Sequence, residues 1–349
     1  MRLRSKRLSR WRAVLLVSLC VAARAAAQSN VPIISGAAAF VGTDNQGIPF
    51  FQPILSPVLV VPLGDRWVIE SRGLIQGVYL RENGRSGPYQ GRFAATLDYA
   101  QVDYLANPHL TVTVGRFLTP FDIYNERFTA LWIRNLQDPP IIYTIGTRTS
   151  ASSNGGMLRG VALVQPNFNL TYAAYFSVLQ TTENLQAGRA AGGRLGMFVP
   201  HQGVEAGISY QRFLQNQNYN AWGTYFSWQP PPVPLDVRAE YAHSPGGQGY
   251  WLEGAMHFAG SRGSTSWIGR LQGVARVQQF FAGNTFDPQN LLPRVDVNRF
   301  DLGLNYYLPH DIRVNGSYGR QYSSLGNGNI WNVQVTYRFL FPAWPGEHK

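Results

Sequence analysis

The chain has 349 residues and a formal net charge of +11, with 13% aromatic residues, 14% charged residues and one cysteine. A lone cysteine excludes a disulfide scaffold and thiolate metal sites. Beyond the amino-terminal segment no apolar run reaches the roughly 18 residues that mark a spanning helix, which excludes a helical membrane protein.

The chain opens on MRLRSKRLSRWR, strongly basic and without an acid, followed by the apolar run AVLLVSLCVAARA and then AAAQ. This is the layout of a secretory signal, with cleavage expected after Ala27. The apolar run is shorter than the ~20 residues a bilayer-spanning helix needs. Cys20 lies in it, so residues 28–349 carry no thiol. Seven cations lie in residues 1–27, and their loss lowers the net charge from +11 to +4. That is too little for a nucleic-acid surface, and no nucleic-acid partner is expected. The one lysine left is Lys349, so every other cation is arginine, which keeps its charge and forks onto planar or tetrahedral anions.

Residues 28–349 form one unit of strands at nearly even spacing. The candidates are 32–42, 52–63, 66–82, 91–105, 109–117, 154–165, 168–180, 191–199, 203–213, 219–229, 234–243, 248–260, 264–281, 296–308, 311–323 and 329–341. The last is the clearest. Trp331, Val333, Val335, Tyr337, Phe339 and Phe341 alternate with Asn332, Gln334, Thr336 and Arg338. Successive side chains of a strand point to opposite faces, so this ribbon has one oily and one wet face. The stretch 91–105 changes phase in its middle, which predicts a bulge.

The connections are expected to alternate in length. Tight ones hold Gly64-Asp65, Asn107-Pro108, Pro166-Asn167, His201–Gly203, Pro230–Pro234, Ser261–Gly263 and Pro309–Asp311. Longer polar ones include DNQGIPFFQ, ENGRSGPYQ, TTENLQAGRAA, SPGGQG and the stretch 118–153. Short turns on one side, longer loops on the other and an even strand number fit a closed transmembrane β-barrel. A sandwich would put its oily faces inward. A spanning sheet must close because lipid cannot satisfy a free edge. Sixteen strands enclose a bore too wide for side chains to fill.

The stretch 118–153 is too aromatic for an ordinary surface loop, since Phe121, Tyr124, Phe128, Trp132 and Tyr143 need a dry place. It is expected to fold into the barrel as its third long loop and narrow it. The constriction would then carry Asp122, Glu126 and Asp138 against Arg127, Arg134 and Arg148, with Arg116 at the base. Opposed charges across a narrow passage sort solutes by field and size. On the strands, phase points Arg72, Arg238, Arg270, Arg276, Arg313 and Arg338 into the lumen, with Arg194 among them. They share it with Glu240, Glu253 and Asp301, together with Glu70, Asp98, Glu205 and Asp236. Arg270 and Arg276, six apart on one candidate strand, would begin an anion track; the other reading is wall-stiffening ion pairs.

No metal or cofactor is expected, because no HExxH, GxSxG or phosphate-binding loop occurs. Few residues precede the first strand, so no amino-terminal plug is expected either.

The segment VGRFLTPFDIYNER, residues 114–127, resembles the signature that closes a strand and opens the long third loop in the phosphate-selective porins of the O and P type. The resemblance implies a homotrimer of water-filled pores in the outer membrane of a Gram-negative-type bacterium. Phe341 fits the terminal aromatic at which porins commonly stop, although PAWPGEHK follows it. The function expected is passive diffusion of small hydrophilic solutes or ions, with a mild preference for anions. Two other readings fit the residues: an outer-membrane enzyme using lumen carboxylates such as Glu240 and Glu253, and a structural barrel or adhesin with a blocked lumen.

Overall fold

A computed structural model describes residues 31–145, 151–215, 218–231, 233–259, 266–284 and 292–342. The candidate signal lies outside them. The strands are β1 (Ile33–Asn45), β2 (Ile48–Leu63), β3 (Trp67–Arg81), β4 (Tyr89–Asn107), β5 (Leu110–Leu118), β6 (Ser152–Val164), β7 (Asn169–Ser177) and β8 (Ala190–Val199). They continue with β9 (Val204–Phe213), β10 (Tyr219–Trp228), β11 (Leu235–Ser244), β12 (Gly247–His257), β13 (Leu271–Ala282), β14 (Val297–Tyr307), β15 (Ile312–Ser323) and β16 (Gly328–Pro342). Each pairs antiparallel with its sequence neighbours. β1 pairs with β16 from Ile33–Pro342 to Asn45–Ile330, so the sheet closes into a sixteen-stranded barrel with no free seam.

The two faces are inverted relative to a soluble protein. On β16, Val333 is 61% exposed on the outside while Asn332 on the inside is 2% exposed. Polar groups fill the interior because only there can they find partners, and aliphatic side chains face out because lipid asks for none. Near the long-loop rim, outward tyrosines donate their hydroxyls to neighbouring amides: Tyr210 to Asn220, Tyr241 to Gln248, Tyr250 to Gln279 and Tyr318 to Asn329. A ring with an apolar body and a polar tip suits a membrane–water boundary. We expect Val333→Arg to destabilise the barrel by about 2–4 kcal/mol, as a charge on the lipid face near mid-strand should. Urea titration in lipid vesicles would measure it, with Asn332→Ser as a comparison inside the barrel.

The predicted bulge is present. Arg72 pairs with Tyr99 and Gly73 with Leu97, which leaves Asp98 as the extra residue of β4. The bulge aims its carboxylate at Arg72, 2.9 Å away.

Three predicted boundaries differ. DNQGIPFFQ is not a long loop: β1 and β2 meet at a two-residue turn, Gln46-Gly47, both with positive φ (58° and 79°), and Ile48 already begins β2. β11 and β12 are likewise joined by Pro245-Gly246 alone. In the opposite sense, the candidate strand 264–281 begins only at Leu271. Trp267 and Ile268 supply the apolar pattern, but Gly269 N–H donates to Ser266 Oγ at 3.0 Å and holds a turn. Arg270 therefore lies in the connection ahead of β13 rather than on a strand with Arg276.

Candidate functional site

β5 ends at Leu118 and β6 begins at Ser152, and of the chain between them the described residues 119–145 fold into the barrel. Thr119 N–H donates to Ala151 O at 3.0 Å, which closes the base of this loop. Asn125 Nδ2 donates to Thr119 O (2.8 Å) and Ala151 O (2.7 Å), bridging both legs. We expect Asn125→Ala to remove the two hydrogen bonds that tie the legs together, while Thr119 O keeps Phe121 N–H and Ala151 O keeps Thr119 N–H, and to loosen the loop by about 1–3 kcal/mol. Faster tryptic cleavage after Arg127 would report it.

The loop's aromatic residues find their dry place against the wall. Phe121, Ile123, Tyr124, Phe128 and Ile142 pack with Phe213, Tyr225, Trp251 and Phe280, and small wall residues, Ala221 and Ala242, make room. Tyr124 meets Trp251 edge to face, ring centroids 5.8 Å apart. Further along, Leu131 and Trp132 reach Ala37 and Ala39 of β1. The loop thus crosses the bore and touches both sides of the seam where the barrel closes.

The polar contacts explain what the lumen charges do. Glu126 pairs with Arg194 at 2.5 Å, and Arg127 makes a two-pronged pair with Glu205 at 2.5 and 2.8 Å. Arg72, held by Asp98, donates to Thr129 Oγ1 at 3.0 Å. Arg238 pairs with Asp236 and lies over the Phe128 ring, 3.7 Å from its centroid. Arg313 donates to the carbonyls of Leu131 (2.7 Å), Arg134 (2.8 Å) and Trp132 (3.5 Å). Arg134 folds back to Gln137 O at 3.1 Å.

At the far end of the loop the charges form a chain. Glu253 lies 4.0 Å from Arg238 and 3.8 Å from Arg276, and Arg276 lies 3.3 Å from Asp301. Arg299 joins Asp301 to the loop's Asp138, at 2.6 Å from each. Arg276 also donates to Asp138 O at 2.9 Å, and Asn135 Nδ2 to Glu253 at 2.9 Å. Buried ion pairs of this kind hold only when hydrogen bonds satisfy the remaining atoms. Desolvation pushes the Asp138 pKa up, but the charge and hydrogen bond of Arg299, joined by Arg276 and Asn332, together hold the carboxyl below its ordinary range. Its contribution to docking is therefore present above the free-carboxyl pKa and is lost as pH falls through the docked value.

The structure thus brings Asp122, Glu126, Arg127, Arg134, Asp138, Arg72, Arg238, Glu240, Glu253, Arg276, Asp301 and Arg313 together around one loop. Arg116 stands at the loop's base, on β5 just ahead of Leu118. The Arg116 guanidinium binds Leu97 O at 2.5 Å, Asn154 Oδ1 at 3.1 Å and Leu185 O at 2.9 Å, pinning the 183–186 turn beside β4. Arg270 is off its strand, Arg338 is exposed at the short-turn rim, and Arg148 lies outside the described residues. Arg299 was missed, yet it shares the phase of Asp301 on β14, and alternation alone would have found it.

No known family profile and no curated protein matches the chain. Solved structures do. OmpF of Salmonella typhi aligns with a TM-score of 0.60 at 11% identity, over 89% of this chain and 97% of its own. The anion-selective porin of Comamonas acidovorans aligns at 0.55 and 11% identity, over 89% and 99%. The trimer form of OmpT of Vibrio cholerae aligns at 0.54 and 10% identity, over 89% and 100%. The chain has the porin fold. At this identity the likeness speaks for the fold alone.

Proposed function

We propose that this chain is an outer-membrane porin, a passive channel for small hydrophilic solutes or ions, exported by the candidate signal and assembled as a homotrimer. The observation that carries the reading is the loop segment 119–145, held inside a closed barrel whose outer face is aliphatic and whose inner face is polar. Such a wall belongs in lipid, and a bore this wide, crossed by one loop, belongs to a sieve. The segment 114–127 does locally what its resemblance implied: it ends β5 and starts the inward loop. That supports kinship with the phosphate-selective porins.

An anion preference has little to rest on. Arg72, Arg194, Arg276, Arg299 and Arg313 all spend donors on the loop, most of them paired with acids as well. The charge filter is therefore weak, and size sets the selection. The enzyme reading is weakened in the same way, since Glu240 accepts three N–H groups and Glu253 is flanked by two arginines.

Swelling of liposomes containing the purified protein tests the reading. Rates should fall steeply with sugar size. A second reading, a barrel closed at rest, is favoured by the reach of the loop from Arg194 on β8 round to Ala37 on β1. It predicts no swelling in the native protein and swelling once the loop is removed.

A further inference from the structure

Among the described residues, five acids are buried: Asp103, Asp122, Glu240, Glu253 and Asp301. Asp103, Glu253 and Asp301 each have an arginine within 4.0 Å. Asp122 and Glu240 have none among the described residues, and they meet at the start of the inward loop.

The backbone there is tied to the wall group by group. Asp122 N–H donates to Ser209 Oγ on β9 at 2.8 Å, and Asp122 C=O accepts from Arg194 on β8 at 2.6 Å. The next two N–H groups, of Ile123 and Tyr124, donate to Glu240 Oε1 on β11 at 2.8 and 2.6 Å. Trp251 on β12 donates to Glu240 Oε2 at 3.0 Å, so three donors satisfy an ionised Glu240. Asp122 holds a left-handed backbone (φ 51°), and its side chain is pressed against Gly223 of β10, where any Cβ would collide with the carboxylate. Asp122 Oδ1 is buried without a hydrogen-bond partner. The other charges nearby are already engaged: Arg194 holds Glu126, and Arg127 holds Glu205, which also accepts from Tyr225.

We propose that Asp122 and Glu240 form a proton-dependent latch that positions the loop. With Asp122 protonated and Glu240 ionised the loop stays docked. Loss of the Asp122 proton sets two buried carboxylates against each other, drives the loop's start away from β11 and widens the bore. The proposal rests on the porin reading and deepens it. Burial, and after it the charge of Glu240, raise the Asp122 pKa well above the usual carboxylate range, while Ser209 and Arg194 pull less strongly the other way. A group whose docked pKa is raised gives its full support to docking below its free pKa and loses it as pH rises through the docked value. The latch therefore releases toward alkaline pH.

The test uses the purified full chain in planar bilayers, from mildly acidic to alkaline buffer. Native conductance should rise on alkalinisation. Asp122→Asn, which cannot ionise, should stay at the acidic level throughout, and Glu240→Gln, which removes the repelling charge, should flatten the curve as well. Tryptic cleavage after Arg127 gives a second readout that needs no current: it should quicken with pH in the native protein and not in Asp122→Asn. A native pH response that persists in Asp122→Asn by either readout, or a native protein with none, overturns the latch. Absence of current in every sample refutes the porin reading instead, and the cleavage assay then decides the latch alone.

Discussion

Replacing residues 121–149 with a short glycine–serine link raises single-channel conductance severalfold and abolishes sieving among small sugars. The expectation follows from where the loop sits. Its two ends are already hydrogen-bonded through Thr119 and Ala151, so a short link spans them without moving β5 or β6. Its middle occupies the bore, from the cluster that holds Phe213 on β9 and Trp251 on β12 to Ala37 on β1. The wall pairs without it, because all sixteen strands are hydrogen-bonded to one another. Three of the arginines it leaves behind keep acids beside them, Asp98 for Arg72 and Asp301 for Arg276 and Arg299, while Arg194 loses Glu126 and Arg313 loses its loop carbonyls. A variant that folds and still shows the native conductance would mean that the loop is not the constriction.

The second large effect is expected at Arg276. Its side chain is 1% exposed and touches Asp301, Glu253 and the Asp138 carbonyl. Arg276→Ala leaves those acids with Arg238 and Arg299 only and empties a buried site between β12, β14 and the loop. Breaking one partner of a buried charge network costs about 3–5 kcal/mol, because the remaining charge stays in a poorly solvated place. Urea denaturation of the folded barrel should show a loss of that order. Arg276→Met, which fills the site but carries no charge, should recover little of it, since Glu253 then has only Arg238, 4.0 Å away, and Asp301 only Arg299. Recovery to native stability with methionine would show that packing, not charge, is what Arg276 supplies.

The barrel was legible in the sequence because its determinant is local. An outward aliphatic and an inward polar residue alternate within most of the strands, and such runs are visible without knowing which strand meets which. Errors arose where short-range chemistry overrode that pattern. Gln46-Gly47 turns in two residues, and Ser266 caps a turn inside what reads as strand. The phase break in 91–105 was readable as a bulge, but that the extra residue was Asp98, and that it would meet Arg72, was not.

The loop shows the opposite case. Its five aromatic residues announced that it folds inward. Its anchors did not, because each joins residues far apart in the chain: Glu240 to the N–H groups of Ile123 and Tyr124, Arg313 to the carbonyls of Leu131 and Arg134, Arg299 to Asp138. Strand phase put several of these arginines in the lumen correctly and said nothing of what they hold there. The expected anion track rested on Arg270 and Arg276 sharing one strand, and Arg270 lies ahead of β13. In the folded chain most of their donors meet carbonyls and carboxylates.

The most direct measurement is a planar-bilayer recording of the purified, full-length protein in symmetric salt, with the loop-replaced variant alongside. The account predicts stepwise current increments in both, small for the native chain and larger for the variant. A membrane that stays electrically tight with the native chain while the variant conducts would make the loop a plug rather than a constriction, and tight membranes with both would contradict a channel altogether.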